Sequence, residues 1–369
     1  MHFFRKIGKY FRNLALSDRE PRLLGYRGFG SDERVIIQGA LQKTYTITNI
    51  RPENRRTSNF LNQLKRYLAT PIPGATVCVH FNGMKKSVKT NDNGIFMAVF
   101  DKVEKQINAN ASPWREYKLT LEHSPQPLEK DLDAPVWNKL LVPHEGQQFG
   151  VISDIDDTLL VSHSTEMIRK LKLMMLKNSY TRKPFPGVVA FYNALHKEDG
   201  ATAKNPFFYV SSSEWNLYEM LDEFCRYNEF PEGVFMLRDL QHSIFKFWKS
   251  GGGSHDHKID KIRSILLTYN HIKFVLMGDI GQQDPVIYRR IIKDFPGRIK
   301  AVFIRKIKKK ESENEIVKDD QGNEIPFYYV KDSYEASKYA LKHDLITGDE
   351  LNNILADTKK EKERGAVEI

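Results

Sequence analysis

The stretch Phe149-Gly150-Val151-Ile152-Ser153-Asp154-Ile155-Asp156-Asp157-Thr158 decides how this chain of 369 residues folds. Its first four residues are apolar or small and make a short buried strand, which runs directly into the carboxylates Asp154, Asp156 and Asp157. Like charges at such close range repel one another, so an acidic turn at the end of a buried strand calls for a cation, and a divalent ion is the economical one. The run is not an EF-hand loop. The glycine at its sixth position and the glutamate at its twelfth are both missing.

Downstream, the short apolar runs Phe207 to Val210, Phe274 to Met277 and Ala301 to Ile304 alternate with helical patterns over Val188 to Leu195 and Ile259 to Tyr269. Strand and helix in alternation predict a parallel sheet covered on both faces, with ligands at the carboxyl ends of the strands. The polar residues stand at those ends. Ser211, Ser212 and Ser213 follow the second strand, and their hydroxyls suit phosphate oxygens. Lys258 opens the helix before the next strand. That strand ends in Gly278-Asp279, with Asp284 five residues on, which supplies a second pair of acids.

This order (strand-Asp, strand-Ser, Lys-helix, strand-Gly-Asp) resembles the four motifs of the haloacid dehalogenase superfamily of phosphotransferases across roughly residues 148–305. The strings DIDDT (154–158), RKPFPG (182–187), YVSSSEWNLY (209–218), LR (237–238), HKI (257–259) and GDIGQQDP (278–285) are similar to the catalytic domain of the actin-patch-associated phosphatidate phosphatase family and its bacterial relatives. Two positions depart from that pattern. Glu214 stands where the family usually has proline, and Ile280 where it has serine; neither is a catalytic carboxylate.

The resemblance implies a Rossmann-like α/β fold and a magnesium-dependent phosphatase that acts on phosphatidate or a related lipid phosphate. Asp154 would be the nucleophile that forms an aspartyl-phosphate, and Asp156 the acid and base that serves the leaving alkoxide and then the water. Mg²⁺ would be held by Asp154, the backbone carbonyl of Asp156, Asp279 and Asp284. Ser211, Ser212 and Lys258 would bind the phosphoryl oxygens, with Thr158 fixing the loop beside them. A soluble phosphomonoester is the alternative substrate, and a non-catalytic membrane-binding scaffold the alternative of another class.

The rest of the chain divides around this unit. Residues 31–146 carry β-branched and aromatic runs separated by turn chemistry such as Asn82-Gly83 and Asn91-Asp92-Asn93-Gly94, with Val77, Val79 and Phe81 alternating along one strand. A small β-sandwich is expected there, interrupted by one helical stretch from Phe60 to Leu68. Residues 1–30 hold seven Lys or Arg and two Asp or Glu, with Phe3, Phe4, Ile7, Tyr10, Phe11 and Leu14 on one helical face. Such a segment either lies in an anionic membrane interface or docks on the protein's own body. The phosphatase unit is expected over residues 147–345 and a charged tail over 346–369.

Arg305 to Lys310 is a basic run, but Glu311, Glu313 and Glu315 follow at once and no nucleic-acid-binding grammar accompanies it. Hydrophobic residues at 40% and charged residues at 28% place the whole chain among ordinary globular proteins, with no apolar run approaching the ~18 residues that span a bilayer. Two cysteines, Cys78 and Cys225, without a CxxC pair exclude a thiolate zinc site. Lacking a secretory pattern, the chain is expected in the cytoplasm, with peripheral membrane attachment. His255 and His257 read as residues of a mobile glycine-rich loop, Arg182, Lys183 and Arg238 as surface charge, and Trp215, Tyr218 and Cys225 as core.

Overall fold

The computed structural model describes residues 19–45, 69–101, 103, 113–128, 130, 132–143, 147, 149–155, 185–197, 204–238, 256–280, 283–306 and 313–367, and every structural statement concerns these. The helical patterns over residues 1–14 and 60–68 lie outside them, as do the glycine-rich loop with His255 and the pair Arg182 and Lys183.

Nine strands come first: β1 (Arg19–Gly25), β2 (Gly28–Gly30), β3 (Arg34–Tyr45), β4 (Thr70–Pro71), β5 (Thr76–Phe81), β6 (Met84–Lys89), β7 (Ile95–Asp101), β8 (Trp114–His123) and β9 (Val136–Leu141). Alternation of apolar and polar residues makes the strands, and Asn-Gly chemistry makes the tight turns. Asn82 and Gly83, between β5 and β6, both adopt positive φ (47° and 74°), as a two-residue hairpin turn of this twist demands. The long strand β3 is the spine, because β1, β2, β4 and β7 all pair with it antiparallel. Where the alternation suggests a sandwich, the ladder runs unbroken through one nine-stranded sheet. Lys86 of β6 donates to the Val99 carbonyl of β7 at 2.7 Å, so the sheet curls back towards itself. Val35, Ile37, Leu41, Val77, Val79, Phe96 and Leu119 fill its interior.

The second sheet contains β10 (Gly150–Asp154), β11 (Phe207–Glu214), β12 (Val234–Arg238), β13 (Phe274–Asp279), β14 (Ile299–Arg305), β15 (Glu315–Lys318) and β16 (Glu324–Val330), in the order β12-β11-β10-β13-β14-β16-β15. All neighbours are parallel except the β15–β16 hairpin. Its helices are α1 (Val188–His196), α2 (Tyr218–Tyr227), α3 (Asp256–Thr268), α4 (Asp284–Asp294), α5 (Ser333–Lys342) and α6 (Gly348–Val367). Successive strand residues point to opposite faces, so Val151 joins the cluster under α1, α2 and α5 while Ile152 joins the one under α3 and α4. The chain is thus a mixed α/β structure with two sheets, one curled and antiparallel for the most part, one largely parallel. Strand order doubles back at β10, the kind of switch point beyond whose carboxyl end parallel sheets bind ligands.

Two boundaries move. Residues 19–30 belong to the curled sheet as β1 and β2, not to a separate basic segment. Residues Gly348–Val367 of the expected charged tail form α6, which docks on the parallel-sheet unit: Ile354 is buried, and Glu361 accepts the Gly187 N–H at 2.7 Å. Its docking face is partly polar, which hides it from an apolar-periodicity reading.

The two sheets share buried contacts. Phe29 of β2 meets Phe208 and Tyr269 edge-on or tilted, at ring separations of 6.0 and 6.4 Å. The Tyr269 hydroxyl accepts the Gly30 N–H at 3.1 Å and donates to the Leu141 carbonyl at 3.2 Å, tying the parallel-sheet unit to β2 and β9. Because Tyr269 is fully buried, Tyr269→Phe leaves one amide and one carbonyl without this partner and lowers stability by about 1–3 kcal/mol. Urea unfolding of the two proteins measures it; equal midpoints would mean that the bridge contributes nothing.

Candidate active site

Parallel pairing sets which residues leave the sheet together. Asp154 lies opposite Val210, which puts Ser211 one step beyond it on β11. Ser153 lies opposite Met277, so Asp154 and Gly278-Asp279 emerge side by side. Asp279 in turn lies opposite Arg305 at the end of β14. Asp154, Asp279 and Asp284 are all buried, at 1%, 0% and 0% exposure.

Each carboxylate is held by local chemistry. Asp284 opens α4, where an acid is favoured by the unpaired amides and positive end of the helix, and Pro285 beside it suits the first turn. Its Oδ2 accepts the Asp279 N–H at 3.1 Å, across the five-residue turn from β13. One turn along α4, the Tyr288 hydroxyl donates to the Met277 carbonyl at 2.8 Å and pins the helix to the same strand. Asp154 is underpinned by Ser153, whose Oγ lies 2.7 Å from the Tyr192 hydroxyl and donates to the Asp154 carbonyl at 3.0 Å.

Lys258, in the first turn of α3, brings its ammonium to Asp154 Oδ1 at 2.9 Å and into contact with Asp284 Oδ1. Burial alone would lower its pKa, but the two carboxylates outweigh that and hold it above the ordinary lysine range. The group is therefore a fixed positive charge at any neutral or mildly alkaline pH. Arg305 approaches the third carboxylate, 3.9 Å from Asp279 Oδ2, with its guanidinium stacked 3.8 Å over the Phe185 ring.

The serines lie in a bulge. Pairing of β11 with β12 jumps from Val210↔Met236 to Glu214↔Arg238, so three serines face one residue of the partner strand. Ser211 is buried, Ser212 exposed and Ser213 intermediate. Lys261 donates to the Ser211 carbonyl at 2.6 Å, and the Ser213 N–H to Ser211 Oγ at 2.8 Å. Glu214 pairs with Arg238 at 3.4 Å.

Of the residues singled out from sequence, the structure brings together Asp154, Asp279, Asp284 and Lys258, with Ser211 next to them by register. Ser212 points to the exposed side of the bulge, His257 is exposed, and Trp215, Tyr218 and Cys225 are buried. Asp156, Asp157 and Thr158 lie outside the described residues. Lys261 was not singled out, and Arg305 only as the first residue of a basic run. Lys261 shares a helix face with Lys258 three residues earlier, and Arg305 stands at the carboxyl end of a parallel strand, so spacing and topology carried the signal for both.

Among the described residues no three of His, Cys, Asp or Glu are assembled as a ready metal shell. The acids that converge here nevertheless form an oxygen-only donor set, which matches a hard cation such as magnesium rather than zinc or copper.

Comparison with known proteins follows the same segment. Residues 149–306 match the family model described as phosphatidate phosphatase APP1, catalytic domain. The chain is 31% identical over 156 residues to phosphatidate phosphatase APP1 of Saccharomyces cerevisiae, and 26% identical over 158 residues to an uncharacterized protein of Schizosaccharomyces pombe. Each match covers 42% of this chain and 25% of the relative, so the chain spans about a quarter of the length of these curated relatives. Over that segment the chain is similar to phosphatidate phosphatase APP1 in sequence. A carbohydrate acetylesterase structure from Xanthomonas citri aligns over 76% of this chain and 68% of its own at 8% identity and a TM-score of 0.26, too low to bear on the fold.

Gly278 tests how tightly the acids are packed. A Cβ there would stand 2.3 Å from Asp284 Oδ2 and 2.9 Å from Asp284 Cβ. Gly278→Ala must push Asp284 away from both Lys258 and the Asp279 amide, and lowers stability by about 1–3 kcal/mol. Chemical denaturation reads this directly, and an unchanged midpoint would show that Asp284 retreats at no cost.

Proposed function

We propose that this chain is a phosphoric monoester hydrolase of the phosphatidate phosphatase type, working through an aspartyl-phosphate on Asp154. The observation that carries the reading is the convergence of Asp154, Asp279, Asp284 and Lys258 at one sheet edge, inside a segment similar to a phosphatidate phosphatase catalytic domain.

Phosphoryl transfer needs a positioned nucleophile and compensation of charge on the equatorial oxygens. Asp154 attacks phosphorus in line with the leaving alkoxide; its carboxylate is aimed by the strand beneath it and by Lys258 at 2.9 Å. Asp156, two residues on, gives a proton to the departing alkoxide and then takes one from the water that hydrolyses the intermediate. Lys258 stays charged throughout and steadies the phosphoryl oxygens together with the serine bulge. Asp154, the Asp156 carbonyl, Asp279 and Asp284 would hold Mg²⁺, which when bound neutralises the phosphoryl charge.

The proposed substrate is phosphatidate or a related lipid phosphate, reached at an anionic membrane surface from the cytoplasmic side. The net charge of +10 on the whole chain supports such a partner.

Phosphate release from phosphatidate in mixed micelles, measured with Mg²⁺ and with a chelator beside a soluble aryl phosphate, tests both reaction and substrate. Activity on the lipid should disappear with the chelator and fall by about 10³-fold or more in Asp154→Asn. Full activity of that variant would remove Asp154 as nucleophile. Turnover of the aryl phosphate alone would keep the chemistry and replace the lipid with a soluble phosphomonoester.

A further inference from the structure

The serine bulge is anchored from inside its own domain by Lys261 and by the Glu214–Arg238 pair. Its far end has a second anchor from elsewhere. Directly after Glu214 the chain turns through a single 3-10 turn, Trp215–Leu217, and Trp215 is buried. The ring that covers it comes from the curled sheet: Tyr26, between β1 and β2, stacks on Trp215 at 4.6 Å with only 12° between the planes, and also meets Tyr218 at 4.5 Å.

Tyr26 is itself held hard. Its N–H donates to the Gln38 carbonyl at 2.9 Å, and its carbonyl accepts from the buried Tyr117 hydroxyl at 2.6 Å. The next residue locks onto the parallel-sheet unit. The Arg27 N–H donates to the Tyr218 hydroxyl at 3.0 Å, and its guanidinium, with the side chain 8% exposed, reaches Asp222 at 2.6 Å, Glu232 at 3.1 Å and the Gly233 carbonyl at 3.3 Å. A rigid turn of one sheet therefore presses an aromatic ring onto the residue that closes the other sheet's serine loop.

We infer that the curled sheet takes part in phosphate recognition: Tyr26 is a positioning residue that fixes the far end of the Ser211–Ser213 loop through Trp215, and so sets where its hydroxyls and amides meet a phosphoryl group. The inference rests on the phosphatase reading for the identity of the ligand, and on the stacking alone for the brace. A bulge is adjustable backbone, so a loop whose far end rested on the Glu214–Arg238 pair alone would meet phosphate in more arrangements and bind it more weakly. Simple packing between two domains would predict something else, a general loss of stability with no preference for this loop.

The test uses the full chain with Tyr26→Leu, which removes the stack, and Tyr26→Phe, which keeps it. Hydrogen exchange followed by mass spectrometry over residues 211–217 reads the loop without any assay of activity. Inhibition of aryl phosphate hydrolysis by inorganic phosphate reads its grip on the ligand. In Tyr26→Leu, exchange across the loop is expected to rise about three- to tenfold, the worth of one aromatic stack, while α3 and β13 keep their protection. The inhibition constant for phosphate and KM should weaken by a similar factor, with kcat changing less, and Tyr26→Phe should behave as the parent. Unchanged exchange over 211–217, or a rise shared equally by β13, would overturn the brace. Should Tyr26→Leu not fold, Trp215→Phe gives the same local pattern in milder form, and its absence counts equally against the proposal. If the parent protein hydrolyses no phosphomonoester, the reaction assigned above fails, and exchange alone decides whether Tyr26 holds the loop.

Discussion

Lys258 places its ammonium between Asp154 and Asp284, two carboxylates with almost no access to water. Each buried ion costs several kcal/mol of lost hydration, and only close, well-made pairing offsets that. The rest of the acidic edge is arranged around the requirement. Helix α3 must begin where its first turn can reach β10, Asp284 must open α4, and β13 must carry glycine at position 278 because nothing larger fits beside the Asp284 carboxylate. Asp279 extends the same logic outwards, with its amide on Asp284 and its carboxylate facing Arg305.

The second constraint lies between the sheets. Arg27 is almost fully buried among Asp222, Glu232 and the Gly233 carbonyl. Such a network adds little net stability over well-packed apolar groups, but a slipped interface would leave a buried guanidinium without its carboxylates, which is costly. The aromatic contacts of Tyr26 and Phe29 supply the attraction; the ionic contacts select one docking geometry. The two sheets thus act as one body at the edge where Asp154 and the serines stand.

The acidic strand ends were legible in the sequence because buried strands in a parallel sheet carry short apolar runs, and carboxylates directly after such runs have few structural uses. β10, β13 and β14 stand where those runs stand, with ends moved by a residue or two, β11 starts at its run and continues to Glu214, and α1 and α3 follow the apolar spacing at Val188 to Leu195 and Ile259 to Tyr269. What stayed hidden depends on partners distant in sequence. β1 carries Arg19, Glu20, Pro21 and Arg22, a poor strand in isolation, and is a strand because the long edge of β3 pairs with it. α6 packs partly through Thr358 and Glu361, so its buried face lacks the apolar stripe that marks a docked helix. The single curled sheet could not be told from a sandwich, since both need the same alternation of residues and differ only in which strands meet.

The place of α6 has a consequence for biosynthesis. Gly187, at the entrance to α1, has φ of 74° and room for nothing beyond hydrogen, because Thr358 Oγ1 lies 2.1 Å from where a Cβ would be. The helix that closes over this point leaves the ribosome more than 150 residues after it, and the central strand β10 must likewise wait for β11 and then β13. Strands β1 to β9 can close on one another long before that, while Tyr26, Phe29 and Leu141 remain uncovered until the parallel sheet arrives to bury them. During translation the nascent chain therefore carries an apolar surface for much of its elongation, the kind of transient species that chaperones shield.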